Sequence, residues 1–161
     1  DAIEVVRRSN PKRTIVVGPG NWNNVDALIM LDLPESDRNL IVTFHFYQPF
    51  EFTHQGAEWV INPGTVGTKW TGTESEKSLL DIDFELAYAW GLKYRRPIYL
   101  GEFGAYSKAD MESRHAWTNF IARTAEARGF SWAYWEFCSG FGAYDPAAGQ
   151  WNEPILSALI P

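Results

Sequence analysis

Four apolar bursts punctuate the chain, each followed by a loop and then by a helix-like pattern. The first, Thr14-Ile15-Val16-Val17-Gly18, is β-branched and does not alternate with polar residues, as in a strand buried on both faces. The others run Leu40 to Tyr47, Pro97 to Gly104 and Phe130 to Phe137. A helix tail over 1–9 precedes the first burst and is stopped by Asn10-Pro11. A short helix is predicted from about Asn24, a good N-cap residue, to Leu31. After the second burst comes a long loop, 48–73, then a helix from about Ser75 to Lys93. There Leu79, Ile82, Leu86 and Trp90 recur at three- and four-residue steps and predict a buried stripe. A third helix spans about Asp110 to Arg128, with Trp117, Phe120, Ile121 and Thr124 on one face and Gly129 at the C′ position. The last short helix lies near 153–160, with Asn152 placed to cap it and Pro154 in its first turn.

The resulting order, α-β-α-β-α-β-α-β-α, with apolar strands, predicts an α/β fold with a parallel sheet under helical cover. An open doubly wound sheet and part of a (β/α)8 barrel both have that pattern. No GxGxxG or GxxxxGK[ST] turn follows any strand, which weakens the nucleotide-binding version. The polar residues favour the barrel. Asn21, Trp22, His45, Tyr47, Glu102, Trp135 and Glu136 all fall at or just beyond the C-terminal ends of the predicted strands, the rim where barrel enzymes build their sites. A whole barrel needs about 250 residues and eight strands. Residues 1–161 therefore read as a single unit, half of a (β/α)8 TIM barrel.

Composition narrows the function. Apolar residues make up 45% and charged residues 21%, so a packed core is expected. No run of 18 apolar residues exists, and the opening Asp1 to Arg8 is no signal peptide, because an acid leads and no apolar stretch follows. The net charge of −6 argues against nucleic acid and polyanionic substrates, while a neutral sugar chain fits. The single cysteine, Cys138, allows no internal disulfide and is expected to be packing. No His and carboxylate have metal-ligand spacing, so neither metal nor other cofactor is expected. Aromatics reach 16%, with eight Trp, an excess that fits stacking on flat sugar faces as well as a full core.

Glu102 is the centre of the chemistry. It ends an apolar strand between Gly101 and Gly104, where a carboxylate is partly desolvated and held on rigid backbone. A capping or salt-bridged Glu in a turn is the plainer alternative. Ile98-Tyr99-Leu100-Gly101-Glu102-Phe103-Gly104 resembles the nucleophile strand of glycoside hydrolase family 5, the cellulase family. His45-Phe46-Tyr47 resembles that family's sixth-strand motif, Trp132-Ala133-Tyr134-Trp135 its eighth strand, and Trp151 to Leu156 its closing helix. The resemblance covers essentially the whole chain, as strands five to eight.

The resemblance implies a retaining hydrolase of β-1,4-glucan, normally secreted, with Glu102 as nucleophile, His45 and Tyr47 beside it, and Trp135 and Trp22 binding sugar. Mannan or xyloglucan is the alternative substrate. The family's acid/base Glu, in an Asn-Glu-Pro motif, ends strand four, a strand these 161 residues do not include. Asn152-Glu153-Pro154 repeats that tripeptide but starts a helix instead of ending a strand. The chain alone is therefore expected to be weakly active or inactive. A self-associating half barrel, dimeric or larger through exposed strand edges, is a second expectation. A sugar-binding module without catalysis is a third. His54, Trp59, Trp70 and Glu136 stay open between cleft and structural roles, and His115 is expected on the solvent face of its helix.

Overall fold

The computed structural model describes residues 2–161. Asp1, the start of the expected helix tail, lies outside them. Helix α1, Ala2–Ser9, leads into strand β1, Ile15–Val17. A single turn, α2 (Gly20–Asn23), and a 3-10 helix, Val25–Met30, follow. Strand β2, Leu40–Phe46, is followed by a helical turn α3, Phe50–Thr53, and the long helix α4, Glu74–Tyr94. Strand β3, Ile98–Phe103, helix α5, Met111–Ala127, and strand β4, Ser131–Trp132, complete the main sheet. The chain ends with a hairpin, β5 (Tyr144–Asp145) and β6 (Gln150–Trp151), and helix α6, Glu153–Leu159.

The four main strands are parallel and lie in the order β1-β2-β3-β4. A doubly wound sheet would reverse its strand order at a switch point. Here each strand pairs with the next in sequence, as in a barrel wall, and the unit is half of a (β/α)8 barrel.

Helix ends follow local chemistry. The Asn24 side chain accepts from the Asp26 N–H and starts the 3-10 helix as expected. Thr73 and Glu76 form a capping box at the start of α4, and Asp110 accepts the Ser113 N–H at the start of α5. Gly129, at φ 72°, occupies the left-handed position after α5. Asn152 precedes α6, but its side chain makes no cap and donates instead to the Gly142 carbonyl at 3.4 Å.

The stripe on α5 is buried as predicted: Trp117, Ile121 and Thr124 are inside and Phe120 is half-buried. On α4 the prediction is corrected. Leu79 and Ile82 are 68% and 62% exposed, and the buried face is Leu80, Phe84, Ala87, Trp90 and Gly91. Helix α4 carries two apolar stripes that share Trp90, and periodicity does not choose between them. Packing does: Phe84 meets Phe44 and Phe46 edge-on at 5.6 and 4.9 Å. Gly91 also lets the helix backbone approach Ile98, where a Cβ would sit 2.7 Å from the Ile98 side chain.

The fourth burst forms a ladder only over Ser131–Trp132. Its continuation still hangs on β3, because Ala133 N–H donates to the Leu100 carbonyl at 2.9 Å and Trp135 N–H to the Phe103 carbonyl at 2.8 Å. The loop 48–73 is ordered around one buried side chain. Gln55 donates to the carbonyls of Phe52 and Thr68 at 3.0 and 2.9 Å and accepts the Gly67 N–H at 2.7 Å. It thereby replaces the ladder that satisfies backbone groups elsewhere. No helix among the described residues is long and apolar enough to cross a membrane.

Candidate active site

A bulge aims the central carboxylate. Phe44 pairs with Leu100, but the next residue, His45, pairs with Glu102, so Gly101 is the extra residue in β3. Only glycine fits there, since a Cβ would collide with the Thr43 hydroxyl. The slip places His45 and Glu102 side by side at the strand ends.

Tyr47 then donates its hydroxyl to Glu102 Oε2 at 2.9 Å, and His45 Nδ1 lies 3.3 Å from the same oxygen. His45 Nε2 lies 3.1 Å from Asn23 Nδ2. One neutral tautomer satisfies both ring contacts: Nδ1–H donates to the carboxylate and Nε2 accepts from the Asn23 amide. Burial lowers the His45 pKa, against the raising effect of the Glu102 charge, which favours that neutral ring. Burial, reinforced by the Glu102 charge, pushes the Tyr47 phenol up, so it remains a donor. Both contacts fall on Oε2; among the described residues none falls on Oε1.

The residues predicted from sequence meet in one cleft of about 990 Å³, lined by Trp22, His45, Tyr47, Glu102 and Trp135. Trp22 follows β1 and Trp135 follows β4, so the two indoles flank the carboxylate from the two ends of the sheet. Trp22 is 91% exposed and sits in three successive left-handed residues, with φ of 53°, 54° and 61° at Asn21, Trp22 and Asn23. Asn tolerates that backbone; for Trp it costs on the order of 1–2 kcal/mol. Strain of that kind collects where a side chain is held out for use.

The open assignments resolve individually. Trp59 lines the cleft, set edge-on to Tyr106 at 4.8 Å. Its loop is clasped by Lys108, which donates to the Gly56 carbonyl at 2.8 Å and pairs with Glu58. Trp70 is core, packed on Phe120. Glu136 lines the cleft, yet its carboxylate accepts the N–H groups of Cys138, Ser139 and Phe141 at 3.2, 2.7 and 3.2 Å, closing the turn after β4. Glu153 starts α6, away from any strand end of the main sheet. His115 is half-buried rather than solvent-facing, because α5 is covered on more than one side. Cys138 is exposed, not packed, since the Glu136-capped turn lifts it out.

Sequence reasoning missed Asn23, Asp26, Asp83 and Phe141 as lining residues. Asn23 carried a signal, sharing the Asn-rich loop of Trp22. Asp83 carried none, because it lies mid-helix on α4; burial and the neighbouring Asp26 charge raise its pKa. Among the described residues no group of three or more His, Cys, Asp or Glu could hold a metal.

His54 forms a buried part of the cleft wall, stacked on Phe50 at 4.0 Å and bonded to the Thr53 hydroxyl at 3.0 Å. Burial lowers its pKa to about 4. The folded state thus resists protonation between the ordinary value near 6.5 and about 4, where the unfolded chain takes up a proton. Stability is fully present above pH 6.5 and is lost as pH falls toward 4, by about 3 kcal/mol at pH 4. In denaturant titrations at pH 7 and pH 4, the wild-type chain is expected to lose about that much more stability than His54→Gln. Equal losses would refute the assignment.

The Cellulase (glycosyl hydrolase family 5) family model matches residues 1–140. Endoglucanase H of Acetivibrio thermocellus is 34% identical over 98% of this chain, which spans 17% of that protein. Cel5A of Thermotoga maritima, solved with cellobiose and with mannotriose, superposes with a TM-score of 0.95 at 49% identity in each structure, over 99% of this chain and 52% of Cel5A. Cellodextrinase A of Ruminococcus flavefaciens is 30% identical over 78% of this chain and 38% of its own length. The chain thus spans about half or less of the relatives it matches, and with the family model covering its first 140 residues, it belongs to glycosyl hydrolase family 5.

Proposed function

We propose that these residues carry the nucleophile side of a retaining endo-β-1,4-glucanase site. The supporting observation is the asymmetric dressing of Glu102: Oε2 is held by Tyr47 and His45, while among the described residues none holds Oε1. In this reading Oε1 attacks the anomeric carbon, the glycosidic bond breaks, and the leaving oxygen must take a proton. Water then releases the glycosyl group. Tyr47 and His45 fix the carboxylate's orientation by holding Oε2. Trp135 and Trp22 hold sugar rings on either side.

Retaining enzymes place the second carboxyl about 5–5.5 Å from the first. The other cleft carboxyls here are Asp26, Asp83 and Glu136. Glu136 is committed to three backbone N–H groups, Asp83 lies on α4 and Asp26 on the 3-10 helix. None ends a strand opposite Glu102, so the 161 residues alone are expected to turn over unactivated glucan weakly. Glucan is the substrate we assign, since most relatives are endoglucanases. Cel5A, solved with both cellobiose and mannotriose, makes mannan the alternative. A polymeric substrate places the action outside the cell.

A 2-deoxy-2-fluoro-β-cellobioside with a dinitrophenolate leaving group tests the nucleophile directly. It needs no general acid, and the fluorine slows release of the covalent intermediate. Incubation is expected to add one fluorocellobiosyl group to the chain, on the peptide containing Glu102. Labelling elsewhere, or none while the sugar still binds, would remove Glu102 from the role.

A second reading concerns assembly. Among the described residues, strand β1 pairs only with β2 and β4 only with β3, and Val16 on β1 is 52% exposed. Bare edges and exposed apolar residues favour association. Eight strands close a barrel of this type, so two copies supply the number needed. Light scattering behind size exclusion is expected to give a dimer at micromolar concentration. A monodisperse monomer would end this reading without touching the first.

A further inference from the structure

Beyond the cleft, the turn after β4 and the terminal hairpin build a second aromatic surface. Phe137 and Tyr144 stack at 5.3 Å with planes only 6° apart, and Trp151 stands edge-on to both at 5.8 and 5.5 Å. Tyr144 and Trp151 are direct cross-strand partners, and a hairpin of two residues per strand needs such a pair to persist in water. That accounts for two of the rings. It does not account for Phe137, which belongs to neither strand and is 58% exposed, nor for Trp151 remaining 46% exposed. Tyr144 and Trp151 line a hollow of about 550 Å³, which Phe137 adjoins through its contacts with those two rings, and which presents exposed Ser139 and Gln150 together with half-buried Asn152. Arg114, Asp145 and Glu153 line it as well, so flat apolar faces stand beside neutral and charged hydrogen-bonding groups, which match the two aspects of a pyranose ring. The hollow is also contiguous with the cleft: Ser139 lines both.

We infer that this hollow is an additional sugar subsite, which receives the part of a β-1,4-linked glucose chain that runs out of the cleft past Ser139 and stacks it on Phe137 and Trp151. The inference rests on the reading of the cleft as a β-glucan site. It gives the chain a preference for long substrates over short ones.

Binding of cellobiose and cellohexaose to the 161-residue chain, measured by calorimetry, tests it. Phe137→Leu keeps an apolar side chain but removes the flat ring. Trp151→Ala opens the hairpin face, and Trp135→Ala is the cleft control. Phe137→Leu and Trp151→Ala are each expected to weaken cellohexaose on the order of fivefold and to leave cellobiose unchanged. Trp135→Ala is expected to weaken both. Cellohexaose binding untouched by Phe137→Leu, with Trp135→Ala still damaging, would overturn the subsite alone. Absence of sugar binding by the wild-type chain would overturn the cleft reading beneath it. A change in oligomeric state on Phe137→Leu with sugar affinity intact would reassign the rings to a protein contact and also overturn the subsite.

Discussion

Glu102→Ala is expected to lower hydrolysis of dinitrophenyl β-cellobioside by the chain about 10³-fold or more. This substrate isolates the step proposed for Glu102. Its leaving group departs without a proton, so the rate reports nucleophilic attack and not general acid help. The loss should appear in kcat and not in KM if, as proposed, Trp135 and Trp22 hold the sugar, since the substitution touches neither. Azide distinguishes chemistry from collapse. The alanine opens space at the position of the carboxylate, and a small anion can attack there in its place. One displacement instead of two inverts the anomeric centre, so the expected product is the α-glycosyl azide. A misfolded site would yield no such rescue. Activity within tenfold of wild type would exclude Glu102 as nucleophile.

The sequence made the placement of that carboxylate legible for a definite reason. Strands buried on both faces read as unbroken apolar runs, and the first polar residues after each run must lie at the sheet's end. Hence the apolar runs alone place His45, Tyr47, Glu102 and Trp135 at one rim, and the structure gathers them into one cleft. The bulge at Gly101 was not legible, although it sets which residue faces His45; a single extra residue leaves no trace in an apolar run. Helix α4 failed differently. Leu79, Ile82 and Leu86 form a stripe as regular as the buried one, and only the ring of Phe84 against Phe44 and Phe46 selects the other face. The hairpin of Tyr144 and Trp151 was too short for any period to show. Trp70 and Trp59 illustrate the limit of composition. Both are tryptophans of the same loop, one core and one cleft, and the difference arises from the fold of the loop about Gln55 and the Lys108 clasp.

The second large effect concerns the leaving group. If Glu102 attacks without an opposing acid, the cost falls entirely on substrates whose departing oxygen is strongly basic. General acid catalysis is typically worth about 10²–10⁴ in rate. The 161-residue chain is therefore expected to cleave dinitrophenyl cellobioside readily and cello-oligosaccharides at least about 10²-fold more slowly, with intermediate aryl glycosides falling in order of phenol basicity. None of the cleft carboxyls is expected to relieve this slope: Glu136 is spent on its turn, and Asp26 and Asp83 sit on helices. The slope also predicts how complementation behaves. A separate polypeptide supplying strands one to four of a family 5 barrel, with their acid, should raise the rate on cello-oligosaccharides and leave the dinitrophenyl rate nearly unchanged. An equal gain on both substrates would mean the added half repairs the shape of the cleft and not its proton supply. A flat dependence on leaving group in the chain alone would mean that one of its own carboxyls already serves as the acid, and Asp83, with its raised affinity for a proton, would be the first to replace.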